Sequence, residues 1–143
     1  MVEYVPSPRE WVREQVELYE RSGGKEGTDL RGRPVILVTH RGRKSGAIRK
    51  TPLMRVVDGE RYVLVGSMGG APKDPVWVHN LREHSEIELR DRERVQSMRV
   101  REVSGEEKAR VWAIAVEAFP PYAEYQEKTE REIPVFVAEP VEG

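Results

Sequence analysis

Three groups of residues in this 143-residue chain have the types and spacing to do chemistry. The first is the turn Arg41-Gly42-Arg43-Lys44-Ser45-Gly46, followed by Arg49. Glycine-flanked cations of this kind, helped by exposed backbone N–H groups, can surround a phosphate or several carboxylates. Charge-assisted hydrogen bonds there contribute about 1.5–3 kcal/mol each. The turn lies in a segment, residues 31–57, that holds Arg31, Arg33, Arg41, Arg43, Lys44, Arg49, Lys50 and Arg55 and no Asp or Glu. The whole chain has 24 basic and 25 acidic side chains, so without those eight the rest stands at 16 against 25, about −9. A nearly neutral protein has gathered its positive charge in one place, which points to an anionic partner. The second group is Gly66-Ser67-Met68-Gly69-Gly70-Ala71-Pro72. Its paired glycines let the backbone approach a flat or phosphorylated ligand closely, although an ordinary strand-to-helix turn has the same composition. The third is Tyr122 and Tyr125, three apart in PPYAEYQ and so on one helix face. Their hydroxyls can orient a substrate or supply a proton, and their rings can equally pack on a core.

Several sharper readings fail. Arg31-Gly32-Arg33-Pro34 has the core pattern of a minor-groove DNA hook, but it runs straight into the apolar Val35-Ile36-Leu37-Val38, and the net charge is −1. Ser22-Gly23-Gly24-Lys25 fits a Ser-x-x-Lys nucleophile motif without the Lys-Thr-Gly partner that it needs. His40, His79 and His84 lack the spacing of a helical zinc pair, so no metal site is expected. There is no Gly-x-Ser-x-Gly elbow and no cysteine, which removes disulfides and thiolate ligands.

The elements that must position these groups can be placed from periodicity and turn chemistry. The length suits one domain over 1–143, divided into an N-terminal helix (1–24), a polar linker (25–34) and a β-rich body (35–143). Ser7, Pro8 and Glu10 form a helix-start pattern with a capping box. Val12, Val16 and Tyr19 follow on one face, and Gly23-Gly24 ends the helix. Strands are expected at 35–39, 47–57, 62–65, 86–90 and 94–103, with Asp58-Gly59 as a hairpin signal. A short helix begins at Asp74-Pro75. Ser104 and Glu107 repeat the capping-box pattern ahead of a helix with Trp112, Ala115, Val116 and Phe119 on one side, stopped by Pro120-Pro121. The last strand, 133–137, is expected at a sheet edge because of Pro134. Hairpins dominate, which predicts an antiparallel sheet or small barrel with helices packed outside, of the α+β or mainly β class.

In this order and spacing, Arg41-Gly42-Arg43-Lys44-Ser45-Gly46, Arg49, Pro52-Leu53, Ser67–Pro75, Trp77, Asn80-Leu81, Pro121-Tyr122, Tyr125-Gln126 and Ile133-Pro134 resemble the deazaflavin-dependent nitroreductase family. The resemblance runs from about residue 30 to the C-terminus. It implies a single-domain split β-barrel of the flavin-binding type. It also implies an oxidoreductase that uses coenzyme F420, an 8-hydroxy-5-deazaflavin with a phosphodiester and an oligoglutamate tail. The acceptor classes implied are quinones, activated alkenes and nitroaromatics. Carried over by position, Arg43, Lys44 and Arg49 hold the phosphate and tail. Ser67, Gly69, Gly70 and Ala71 line the deazaflavin, Trp77 and Asn80 close its pocket, and Pro52, Met54 and Met68 complete the cofactor-binding set. Tyr122, Tyr125 and Ser67 are the catalytic candidates on the acceptor side. Met68 and Met54 depart from the best-known member, which has lysine and tyrosine there. The first departure implies fewer charge contacts, and the second a changed pocket wall.

Two other classes of function share these residues: a non-catalytic carrier of the same coenzyme, and a nucleic-acid module using the basic stretch, which the net charge disfavours. A flavin-mononucleotide enzyme on the same fold is the nearer alternative. With no apolar run of membrane-spanning length and no signal core, a cytoplasmic protein is expected, as a monomer or homodimer. The Trp11–Tyr19 helix is expected to cover the barrel, the alternative being peripheral contact with a membrane.

Overall fold

The computed structural model describes residues 3–141. Its centre is one curled antiparallel sheet. The long strand β2 (Arg33–Arg41) pairs with β3 (Ile48–Met54) on one side and with β6 (Glu86–Asp91) on the other. From β6 the sheet continues through β7 (Arg94–Glu102) and β8 (Val135–Pro140) to the hairpin of β5 (Arg61–Val65) and β4 (Val57–Asp58). Leu53 of β3 and Val57 of β4, from the two ends of the curl, pack against the same interior. The result is a half-barrel with helices, as the hairpin count predicted.

The unbroken apolar run in β2 follows from burial on both faces. Ile36 and Val38 point into the barrel, with Leu64, Leu89, Met98 and Phe136. Val35 and Leu37 point outward, beneath Val12, Val16 and Tyr19 of helix α1 (Glu10–Arg21). Helix α1 therefore covers the barrel with its apolar side. Helix α2 (Val76–Glu83) plugs the concave side through Trp77, Val78 and Leu81, so it is an interior helix and not an outer one. Helices α3 (Gly105–Ala118) and α4 (Pro121–Lys128) pack on the outer faces of β5 and β8. No helix of the described residues is long and apolar enough to cross a membrane.

Four local expectations are corrected. Helix α1 begins at Glu10 with Arg9 at its N-cap, and Ser7 does not cap it; the Ser7 hydroxyl accepts the Arg9 N–H in a local turn. Its other end is as read. Gly23 and Gly24, at φ 70° and 86°, donate to the carbonyls of Glu20 and Tyr19 and close the last turn. Segment 25–34 is not all linker, because Asp29–Leu30 (β1) pairs with Arg33–Pro34. Ser104 stands at the N-cap of α3 without a side-chain cap, since the Glu107 carboxylate grips the Arg101 guanidinium instead, at 2.6 and 2.7 Å. The last strand is central, between β7 and β5. Pro134 precedes its first residue, so no ladder N–H is lost.

Candidate active site

The basic turn joins β2 to β3. It is tied down through its backbone: the Arg43 N–H donates to Asn80 Oδ1 of α2 at 2.8 Å. The Asn80 amide meets His40 Nδ1 at 3.3 Å, and His40 Nε2 meets Thr51 Oγ1 at 2.9 Å. Asn80 and His40 are each 3% exposed. Burial, reinforced by the Arg49 charge, holds the His40 pKa down at about 4, so the imidazole is neutral. Among the described residues no carboxylate pairs with Arg43, Lys44 or Arg49, whereas other cations of the same segment are engaged. Lys50 bonds Glu20 at 2.6 Å, and Arg55 bonds Asp91 at 2.8 Å. Arg33, expected as linker surface, donates to Ala118 O at the end of α3 and lies over the Phe119 ring. The fold thus consumes part of the basic segment and leaves its turn uncompensated.

The glycine loop runs from β5 to α2 and contains a short 3-10 turn, Met68–Gly70. Its backbone has φ 44° at Met68, 65° at Gly69 and 80° at Gly70. A methyl group on Gly70 would stand 2.7 Å from the Tyr125 carbonyl oxygen of α4, so glycine is required for the loop to lie against the tyrosine helix. The Arg131 guanidinium reaches under the loop, bonding the carbonyls of Gly66, Ser67 and Ala71 and the Asp74 carboxylate. Tyr122 is 4% exposed and packs edge-on to Phe119. Burial raises its phenol above the usual value, which keeps it protonated. Tyr125 is half-buried beside it, with Lys128 over its ring.

The structure therefore brings most of the expected residues into two groups: Arg43, Lys44, Arg49 and Asn80 at the basic turn, and Ser67, Met68, Gly69, Gly70 and Ala71 against Tyr122 and Tyr125. Helix α2 links them. The loop feeds its N-terminus, and Asn80 sits four residues in, about 6 Å along the axis. Three candidates lie apart. Trp77 turns into the barrel interior against Phe136. Pro52 and Met54 pair with Leu37 and Val35 and so share their outward face near α1, opposite to Arg49, which pairs with His40. Sequence reading missed His40, Thr51 and Arg131. A lone histidine in an apolar strand and a lone arginine beyond a helix carry no motif, and only the side chains opposite reveal them. Concavities of about 640 Å³ (by Trp112 and Lys108) and 490 Å³ (by His84 and Arg99) include neither Arg43, Lys44, the loop nor the tyrosines. The uncompensated groups, and not these concavities, mark the candidate site.

Residues 11–140 match the sequence model of the F420H(2)-dependent quinone reductase family. The chain belongs to that family. It is thus an F420H2-dependent reductase, with coenzyme F420 as its cofactor. The F420H(2)-dependent quinone reductase Rv1261c of Mycobacterium tuberculosis (strain ATCC 25618 / H37Rv) is 33% identical over 124 residues, covering 84% of this chain and 83% of its own. A solved F420-H2 dependent reductase, FDR-A, is 47% identical over 75% of this chain and 95% of its own, with a TM-score of 0.71. Another solved relative, described as a domain-swapped dimer, is 46% identical over 93% of this chain and all of its own, with a TM-score of 0.74. The haem storage protein HutZ from Vibrio cholerae, 13% identical with a TM-score of 0.59, shares the fold alone.

The residues present fit such a coenzyme. Unpaired cations suit its phosphate and carboxylates, and the glycine loop keeps clear, at Gly69, the space that side chains fill elsewhere. When bound, F420H2 supplies a hydride donor in a flat ring system.

Proposed function

We propose that this protein reduces a quinone with F420H2 at the face formed by the basic turn, the glycine loop and the tyrosine helix. The observation that carries this is the pairing of an uncompensated cationic turn with a glycine loop packed on Tyr125. Arg43, Lys44 and Arg49 hold the phosphate and glutamate tail by charge-assisted bonds. Ser67, Gly69, Gly70 and Ala71 form the wall along the ring. Asn80 binds no ligand directly and instead fixes the turn. Tyr122 is protonated and buried, so its ring positions Tyr125, whose phenol faces the acceptor and hydrogen-bonds the oxygen on which negative charge develops. Pro52, Met54 and Trp77 support the site from behind. The chain would work in the cytoplasm on an electron-poor, flat acceptor.

Titration with the coenzyme, followed by its fluorescence, tests the binding half; a Kd below tens of micromolar is expected, roughly −6 kcal/mol. Oxidation of the reduced coenzyme by a water-soluble naphthoquinone tests the chemistry. Binding without turnover would make the protein a carrier. Tyr125→Phe should lower turnover about 100-fold with little change in coenzyme affinity.

A homodimer is the second part of the proposal. The arm of residues 3–21 rests on β2 and β3 through one apolar cluster, the Glu20–Lys50 ion pair and a short backbone pairing of Glu3 and Val5 with Ile48. Residues 22–28 join it to the sheet, with glycines at 23, 24 and 27 that permit a change of direction. Exchange of this arm between two copies would preserve every one of those contacts. Light scattering of the purified chain should give twice the monomer mass of 16.5 kDa.

A further inference from the structure

Arg131 lies outside every motif in the chain, yet its guanidinium is the hub of the glycine loop. Its Nε donates to Ala71 O at 2.8 Å, Nη1 to Gly66 O at 3.1 Å and Asp74 Oδ1 at 2.7 Å, and Nη2 to Ser67 O at 2.7 Å. Its side chain is 14% exposed, and that of Asp74, which balances the charge, is 20% exposed. Three carbonyls from both ends of the loop thus converge on one planar fork. The amides behave differently. Those of Gly66, Gly70 and Ala71 donate to Pro134 O, Ser67 O and Met68 O. Those of Ser67, Met68 and Gly69 donate to nothing among the described residues. Ser67 is right-handed, at φ −76° and ψ −40°, and Met68 and Gly69 are at positive φ. Such a change of hand turns successive N–H groups to one side and makes a concavity for negatively polarised oxygen. Met68 is not glycine and its side chain is exposed, so packing of that side chain does not hold it there. A strained residue persists where its surroundings over-determine it, and here the Arg131 fork supplies that constraint.

We propose that Arg131 is a positioning residue for the coenzyme: by holding the loop carbonyls from behind, it presents the Ser67, Met68 and Gly69 amides as a row of donors for a carbonyl edge of the deazaflavin ring. This rests on the reading that the loop lines the coenzyme. The guanidinium itself touches no ligand.

Three full-length variants test it: Arg131→Met, Arg131→Lys and Asp74→Asn. Two measurements apply to each, the Kd for F420 by fluorescence and, without coenzyme, hydrogen exchange of the Gly70 and Ala71 amides. Arg131→Met should raise the Kd at least tenfold per folded molecule and speed exchange of both amides at least tenfold. Arg131→Lys, which keeps the charge but not the fork, should fall between it and the wild type. If Arg131→Met does not fold, Asp74→Asn decides, with an expected three- to tenfold rise in both quantities. A folded Arg131→Met, or failing that an Asp74→Asn, with wild-type Kd and exchange overturns the proposal. So does a variant whose melting temperature falls while Kd and exchange stay put, since that is the mark of a purely structural residue. A wild type that does not bind F420 overturns the coenzyme reading instead, and the exchange comparison still tells whether Arg131 holds the loop.

Discussion

The basic turn is anchored through a backbone N–H, by Asn80, which leaves its charged side chains facing outward. The glycine loop is anchored through its carbonyls, by Arg131, which leaves backbone N–H groups facing outward. In each case one polar side chain grips the segment from behind, and the atoms it does not need become available to a ligand. The turn offers mobile, screened, full charges. The loop offers partial charges on backbone atoms held from behind by Arg131. One face suits the phosphate and tail of an anionic coenzyme, where position matters little. The other suits the reacting ring, where it matters a great deal.

The largest effect should come from reversing the mobile charges. Arg43→Glu combined with Lys44→Glu should weaken F420 binding by about 3–6 kcal/mol, two charge-assisted contacts' worth. The loss should shrink as salt rises, and the melting temperature should hold, since both side chains are exposed and form no ion pair among the described residues. Affinity within twofold of wild type would mean that the turn does not bind the coenzyme.

Acid should separate the two anchors next. The turn is braced by Asn80 and His40, and burial keeps His40 at about 4 against 6.5 for the free side chain. The unfolded chain therefore takes up the proton first. Stability is unaffected above pH 6.5 and falls below it, by about 2 kcal/mol at pH 5 and about 3 kcal/mol below pH 4. Urea midpoints at pH 7 and pH 5 should show this slope, reduced in His40→Gln. The Arg131 guanidinium is no such handle, because guanidinium groups keep their protons at this pH. Amide exchange at pH 5 should loosen around residue 43 before residue 70, and the reverse order would undo the distinction.

Backbone tolerance should differ more modestly. Gly46→Ala in the turn meets open space at φ 70°, so only the left-handed backbone opposes it, at about 1 kcal/mol. Gly70→Ala meets the Tyr125 carbonyl as well, and a loss of about 1–3 kcal/mol is expected. Equal urea midpoints would show that the loop yields to α4 as readily as the turn yields to water. Smallest of all, Met68→Lys adds a mobile charge to the rigid segment and should tighten coenzyme binding by about 0.2–1 kcal/mol, an increment that salt should remove.

The strands and the hairpin at Asp58-Gly59 were legible because alternation and turn residues are local signals. Register follows from them: Thr39 opposes Lys50 and His40 opposes Arg49, and that parity sends Arg49 to the inner face and Lys50 to α1. The parity also separates Pro52 and Met54 from Arg49, which a motif read as a string cannot show. The two capping boxes were misread for different reasons. Helix α1 starts at Glu10, with Arg9 and not Ser7 at its N-cap, and at α3 the Glu107 carboxylate is taken by the nearby Arg101. The last strand was misplaced because a proline disqualifies only the ladder position it occupies, and Pro134 sits just outside.

By itself the sequence determined the clustering of positive charge, the order of hairpins and helices, and the resemblance that names the coenzyme. These depend on residues close together in the chain or on their linear order. Tertiary structure alone decided which cations stay free. Lys50 and Arg55 meet carboxylates 30 and 36 residues away, and Arg33 meets the end of a helix 85 residues on. It alone decided, too, that Asn80 and Arg131 would be the anchors. An ion pair or a buried hydrogen bond is made between neighbours in space, and the curl of the sheet chooses those neighbours.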